Sequence, residues 1–402
     1  MVSDALKLFG MVFKFFLPYT IQLLRHKLQA IVHRRTCKLV DSPKNVVVIG
    51  GSFTGLHLAT RLGHTLPTGY RVILIEKNSH FNFSFNFPRY SVLCGHEARA
   101  FIPYDAAGAD CPPGIFNITR GVVSSVEKDF VQLDTGERIS YSYLAIASGS
   151  FQPLPAKVVS SSKEGGCKEL QSVQENIKAA QTIAVIGGGA VGVEIATDIK
   201  SYYPQKQVTI VHSRRQLLPN FGLRLHDYVT KAVSKMGINL QLGERPSLPF
   251  QKRGSQGLFT DSTLHSSKQG KQHFDLIVCH LRSIASSTQT SPLTTSKIPC
   301  TGQRANSDFL KDLSPNSISA TNKTILVKPT LQLQDPKFPH IFALGDVADT
   351  GGPKMARAGR VQAEIAQQNI VALIEGKDAY VVYVPRFDIE GSIKLTLGKV
   401  CK

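Results

Sequence analysis

The chain has no tryptophan, only 4 methionines and few acids: 29 Asp plus Glu stand against 47 Lys plus Arg, for a net charge of +18. That imbalance implies an anionic partner, whether a phosphate-bearing cofactor, a nucleic acid or a membrane surface, without choosing among them. Cysteine pairs are also missing. The 7 cysteines are odd in number and never closer than 17 residues, so no Cys-x-x-Cys exists. Their spacing points to a reducing compartment and argues against a zinc site and a redox disulfide of the Cys-x-x-Cys kind, and no metal is expected, while the chain's length and apolar fraction exclude a disulfide scaffold. What remains is ordinary globular material: 402 residues, 42% of them hydrophobic, enough for two or three cored domains and too apolar for disorder.

Residues 1 to 44 hold eight Lys or Arg against Asp4 and Asp41, so +6 of the excess sits in a tenth of the chain. Within them, residues 5–24 are largely apolar, interrupted by Lys7, Lys14 and Pro18. Two lysines inside a bilayer span would each cost about 2.5 to 3.5 kcal/mol, so the segment is expected to lie in the membrane interface with its lysines snorkelling. A mitochondrial presequence and an amphipathic helix packed on the body are the alternatives. Val2 excludes N-myristoylation, which requires glycine there.

At Lys44 a β-branched run leads into Gly50-Gly51-Ser52-Phe53-Thr54-Gly55 and then a helical pattern, the strand, phosphate loop and helix of a dinucleotide cradle. Gly50 makes the turn, Ser52 replaces the glycine where backbone meets a pyrophosphate, and Gly55 lets helix pack on strand. The next strand, Tyr70 to Glu76, ends in an acid 21 residues after Gly55, placed to accept from a ribose 2′-OH. The pattern recurs at Gln181 with Gly187, Gly189 and Gly192, but its second strand ends in His212, Ser213 and Arg214. An arginine in place of the acid suits a 2′-phosphate, so NADPH should be accepted alongside or ahead of NADH; solvated arginines indifferent to the cofactor are the alternative. Tyr143 to Gly149 and Ile298-Pro-Cys-Thr-Gly302 read as apolar strands ending in small residues and glycine, and His340 to Ala348 as a buried strand leading to Gly345-Asp346.

Together these motifs resemble the flavoproteins with two dinucleotide-binding domains. Ile341 to Ala348 followed by Pro353 to Asn369, with Asn82 to Tyr90 and Gly95 to Tyr104, is most similar to the apoptosis-inducing-factor-like, ferroptosis-suppressor-protein branch in its fungal form. The resemblance implies an α/β protein of two Rossmann-like domains, with the NAD(P)-binding domain inserted in a discontinuous FAD-binding domain and a truncated C-terminal α/β domain. Expected boundaries are 1–44 for the basic apolar segment, 45–155 and 301–376 for the FAD domain, 156–300 for the NAD(P)H domain and 377–402 for the truncated domain. It further implies hydride transfer from NAD(P)H to FAD and electron delivery to a quinone-type acceptor, in a cytoplasmic, membrane-associated protein or, alternatively, a mitochondrial one. FAD would be held by Gly50, Gly51, Ser52, Phe53, Thr54, Gly55, Glu76, Gly149, Gly345 and Asp346. NAD(P)H would be held by Gly187, Gly189, Gly192 and Arg214, with Glu194 and Arg99 near the reacting rings and the helix from Lys354 to Gln368 beside the flavin. An ordinary first-turn acid is the other reading of Glu194. Two other functions stay open: electron transfer to a protein acceptor, and a non-catalytic basic flavoprotein binding nucleic acid or a partner, although no specific nucleic acid is expected from scattered charge.

Two departures stand out. Residues 279–297 place 19 residues, nine of them Ser or Thr, where relatives run from strand into Pro-Cys-Thr-Gly, and the sequence stops at Lys402 where relatives continue. Both departures begin with Val-Cys, the in-frame reading of a GTATGT-type 5′ splice site, so one retained intron and a stop inside a second are expected. A genuine polar loop and a naturally short isoform are the alternative.

Overall fold

A computed structural model describes residues 2–246, 258–266, 268–279 and 303–399. The expected insert from 280 onward, the Pro-Cys-Thr-Gly run and the last three residues lie outside that set.

Continuous β-branched runs bury both faces of a strand, and here they build two parallel sheets. In the first, β1 (Lys44–Ile49) pairs in parallel with β2 (Tyr70–Glu76), which pairs with β3 (Phe116–Arg120). On its other side β1 pairs with β4 (Tyr143–Ile146). The second sheet has β5 (Thr182–Ile186) between β6 (Gln207–His212) and the long strand Gly270–Cys279, with Asn239–Leu242 beyond β6. The antiparallel strand Leu258–Ser266 closes the far edge. The chain then returns to the first sheet, where Ile341–Ala343 pairs with β4. The first nucleotide unit is therefore discontinuous in sequence, with the second inserted in it. Two core clusters flank the first sheet, around Ile49 and Leu144 on one face and Leu58 and Phe342 on the other, and a third fills the second unit around Val185 and Ile199.

Helix α1 (Val2–Thr36) runs unbroken through Pro18. The apolar stretch and the basic run after it are thus one helix of about 52 Å. Its side chains are described at positions 6 and 10 and from 17 onward. No helix among the described residues is long and apolar enough to cross a membrane. The second half of α1 lies against the body: Arg360 donates to the Tyr19 hydroxyl at 3.0 Å, Arg61 donates to Gln29 at 2.9 Å, and the His33 ring lies 2.7 Å from the Leu66 carbonyl.

Beyond the helix Ala356–Ile374, the described tail crosses to the second unit, where Ile393, Leu395 and Leu397 pack against its core.

Candidate functional site

Helix α2 (Phe53–Gly63) follows β1, and α3 (Ala190–Tyr202) follows β5. Ser52 and Gly189 are their N-cap residues; the Ser52 hydroxyl makes no capping bond and Gly189 has no side chain to make one, so each helix N-terminus offers N–H groups without a side-chain cap. A Cβ on Gly55 would lie 1.8 Å from the Gly50 carbonyl oxygen, and one on Gly192 would lie 1.9 Å from that of Gly187. Only glycine permits this approach of helix to strand. Around Gly189 the space is open. Both loops therefore fit a pyrophosphate laid over backbone.

In the first unit, Glu76 is buried at the end of β2, where its carboxylate accepts from Gly51 N, Asn78 N at 2.8 Å and Asn78 Nδ2 at 2.6 Å. The Tyr104 hydroxyl donates to Gly51 O at 2.8 Å, and burial pushes its pKa up. Thr54 faces the other margin: its Oγ1 is 3.1 Å from where a Gly345 Cβ would be and 2.0 Å from that of Gly359. Asp346 follows in a short helical turn, where Ser150 donates to its Oδ2 at 3.3 Å. Gly149 lies at the end of the β4 segment and accepts from Asn306 N at 3.0 Å. The first cradle's predicted residues thus converge along one edge of the first sheet.

Arg99 is exposed on the short turn Glu97–Ala100. Glu194 lies on the first turn and a half of α3 and faces the tail: it accepts from Thr396 N at 3.1 Å and Thr396 Oγ1 at 3.2 Å. Burial raises its pKa, and the two Thr396 bonds oppose the shift. One turn on, the fully buried Asp198 pairs with Arg89 Nη2 at 2.8 Å, and Arg89 also donates to Gly398 O at 2.9 Å. The helix expected from Lys354 to Gln368 begins at Ala356 and runs on to Ile374.

Sequence reasoning missed four features. Lys157, behind the Leu154-Pro155 cis bond, donates to Ser150 O at 2.6 Å; burial lowers its pKa while the charge of Asp346 opposes. Gln362 accepts from Gly345 N at 2.8 Å. Phe81, Phe83 and Phe85 surround Phe53 with ring centroids at 4.9, 5.7 and 4.8 Å, a cluster signalled by the alternating Phe pattern. Finally, an acid does reach the end of β6. Glu244, from the loop after the neighbouring strand, lines one cavity with Gly187, His212, Ser213 and Arg245, and it accepts from Ser266 at 2.6 Å and pairs with Lys268 at 3.3 Å. Arg214 is exposed just past that cavity.

Among the described residues one group of metal-type donors, His64, Asp110 and Cys111, lies within 4.8 Å, and His64 Nε2 and Asp110 Oδ1 are paired at 3.0 Å.

Two nucleotide-binding units, one split around the other and each with a glycine cradle, define a two-dinucleotide-binding flavoprotein oxidoreductase. Known proteins agree with this class. Residues 44–363 match the profile of the pyridine nucleotide-disulphide oxidoreductase family, and the chain belongs to that family. It is 32% identical over 387 residues to Fe-regulated protein 8 of Mycosarcoma maydis, covering 89% of this chain and 87% of that protein. It is 28% identical to ferroptosis suppressor protein 1 of Mus musculus over 81% of this chain and 80% of that one. Among solved structures, the water-forming NADH oxidase of Lactobacillus brevis superimposes with a TM-score of 0.59 at 19% identity, over 85% of this chain and 71% of that one. The sulfide:quinone oxidoreductase of Aquifex aeolicus gives 0.60 at 17% over 83% and 77%, likenesses that show the fold alone. The protein is an NAD(P)H-driven flavoprotein oxidoreductase using FAD and a nicotinamide cofactor.

Proposed function

We propose that the acceptor is a lipid-soluble quinone and that the enzyme works at a membrane surface. When bound, FAD supplies the redox chemistry, taking hydride from the nicotinamide and passing electrons onward. The chain's own part is to bind, orient and exclude water. Gly50 to Gly55 would seat the FAD pyrophosphate, Glu76 its ribose, and Asp346, flanked by Ser150 and Lys157, the ribityl end. Gly187 to Gly192 would seat the second pyrophosphate, with Glu194 toward the nicotinamide.

The observation that carries the acceptor reading is the membership of a disulphide oxidoreductase family by a chain that has no Cys-x-x-Cys. Without that dithiol, electrons go straight to an external acceptor. Helix α1, with its apolar residues 5–24 and basic flank, supports a lipid location, cytoplasmic-facing or mitochondrial, and its segment, residues 1 to 44, accounts for +6 of the +18 that would otherwise suggest nucleic acid.

NADPH is our proposed reductant, supported by Arg214 and Arg245 beside the end of β6. Glu244 is an acid at the same cavity, so NADH should also bind.

The deciding experiment is steady-state oxidation of NADH and NADPH by the purified flavoprotein against a panel of quinones. Turnover with quinone that far exceeds turnover with oxygen supports the reading. Purified protein that carries no FAD, or quinones that do not accelerate NAD(P)H oxidation, would sink it.

A further inference from the structure

Helix α1 is packed inside out. A helix lying on a soluble body normally buries its apolar stripe and exposes its polar one. Here the inward side is polar: Tyr19, His26, Gln29 and His33 all reach partners on the body. The outward side holds Leu17, Ile21, Leu24, Leu28, Ile31 and Val32, each between 46 and 64% exposed. From Leu17 to Ile31 the steps are four, three, four and three residues, so this is one continuous seam.

The charges beside the seam decide what covers it. Arg25, Lys27, Arg34 and Arg35 are exposed, and between Asp4 and Asp41 the segment has no acid. A second copy of the helix would bring bases against bases, with no acid to pair them across a coiled coil. An anionic bilayer meets both features, apolar residues entering the acyl boundary and bases meeting headgroups at about 1 kcal/mol each.

The contacts also fix how the helix lies. Tyr19 meets Arg360, His26 meets Glu364, Gln29 meets Arg61 and His33 meets Leu66, so α1 runs parallel to α2 and to the helix Ala356–Ile374. The N-terminal ends of all three therefore point the same way. That is the edge holding Gly50 to Gly55 and Gly345-Asp346.

We propose that the seam Leu17 to Val32 on the outward face of α1 is a binding surface for anionic lipid bilayers, reached by docking the helix through its polar face. This extends the membrane contact past residue 24, and it deepens the reading of a membrane quinone reductase, on which it rests only for its biological use.

The test is co-sedimentation of the full-length holoprotein with vesicles of phosphatidylcholine alone and of phosphatidylcholine with phosphatidylserine. Wild type should bind the anionic vesicles at least tenfold more tightly than the neutral ones. The exposed double variant Leu24→Asp/Leu28→Asp should lose binding to both by tenfold or more, and Arg25→Glu/Lys27→Glu should lose only the anionic preference. Because the chain has no tryptophan, Leu28→Trp gives a single reporter whose emission should shift to the blue with anionic vesicles, while Tyr228→Trp, exposed on the nicotinamide unit, should not respond. Vesicle binding unchanged in the double Asp variant overturns the proposal. So does sedimentation equilibrium showing a dimer that the same variant splits while vesicle binding persists, since the seam is then a contact between copies. Turnover with a short water-soluble quinone reads the other question: its absence in wild type with vesicle binding intact ends the quinone reading and leaves the lipid surface standing.

Discussion

Arg89 and Asp198 tie the two nucleotide units together: the guanidinium, on the short helix Phe87–Tyr90 of the FAD unit, makes a two-point contact at 2.8 and 3.2 Å with a fully buried carboxylate on α3 of the nicotinamide unit. Burial raises the pKa of Asp198, and Arg89 opposes this by hydrogen bond and charge. Removing the arginine leaves an uncompensated buried charge. Arg89→Met should therefore cost about 3 to 5 kcal/mol of stability at neutral pH. Denaturant unfolding of the two proteins measures it, and a difference under about 1 kcal/mol would show that the pair is not structural.

The two cradles can be separated by one methyl group each. Gly192→Ala puts a Cβ 1.9 Å from the Gly187 carbonyl, and the strand-to-helix turn must open. The variant should purify with FAD but show no bleaching of the flavin absorbance on addition of NADPH. Gly55→Ala, with its Cβ 1.8 Å from Gly50 O, should purify without flavin. Equal flavin content and equal reduction in both variants would contradict the assignment of the loops.

How much of this was readable in advance depended on whether a feature is local in sequence. β1 and β2 were legible because Val46 to Ile49 and Val72 to Ile75 are unbroken apolar runs before a glycine turn or a terminal acid, and the buried parallel sheet needs nothing else. Glu244 was not, since it reaches the end of β6 from a different strand and only the sheet order brings it there. Lys157 has no local signal either, since only the fold brings it against Ser150. The burial of α1 was opposite to its pattern, because hydrophobic periodicity finds the apolar face of a helix but not which side the body takes. The link between Thr396 and Glu194 spans 202 residues and has no local signal at all.

That link leads to a kinetic prediction. Glu194 has a pKa already raised by burial, and each Thr396 bond holds it down. Thr396→Val deletes the hydroxyl donor and leaves the backbone one, so the pKa should rise further. A raised carboxyl pKa means fewer ionised molecules at a given pH. The acid limb of the profile for flavin reduction by NADPH should move to higher pH, as read by stopped-flow. An unmoved limb would place Glu194 outside the hydride-transfer step.

Cofactor preference is expected to turn on the end of β6. Arg214→Gln removes a positive charge beside His212 and Ser213 while leaving Glu244 and its Lys268 partner intact. A lost charge-assisted bond to a 2′-phosphate is worth about 1.5 to 3 kcal/mol. The variant should lose roughly tenfold or more in kcat/KM for NADPH and almost nothing for NADH. Equal losses with both nucleotides would make Arg214 a solvated residue without a part in selection.

The polar face of α1 should make its docking pH-dependent. The Glu364 carboxylate is met by His57 at 2.7 Å, Arg61 at 3.2 Å and His26 at 3.4 Å, and Arg360 lies one turn away on the same helix. Burial, followed by the charges of Arg61, His57 and Arg360, lowers His26 to about 4 despite the attraction of Glu364. Burial alone would raise Glu364, but the His57 hydrogen bond and the charges of Arg61, His57 and His26 outweigh it and hold its carboxyl below the usual range. Undocked, His26 returns to about 6.5 and so binds a proton that the docked form does not. Stability from His26 is thus present above pH 6.5 and is lost as the pH falls toward 4, and that from Glu364 disappears at still lower pH. Hydrogen exchange of residues 19–36 should accelerate, relative to the intrinsic rate, between pH 6.5 and 4. His26→Gln should flatten that rise; an unchanged profile in the variant would move the pH dependence to another group.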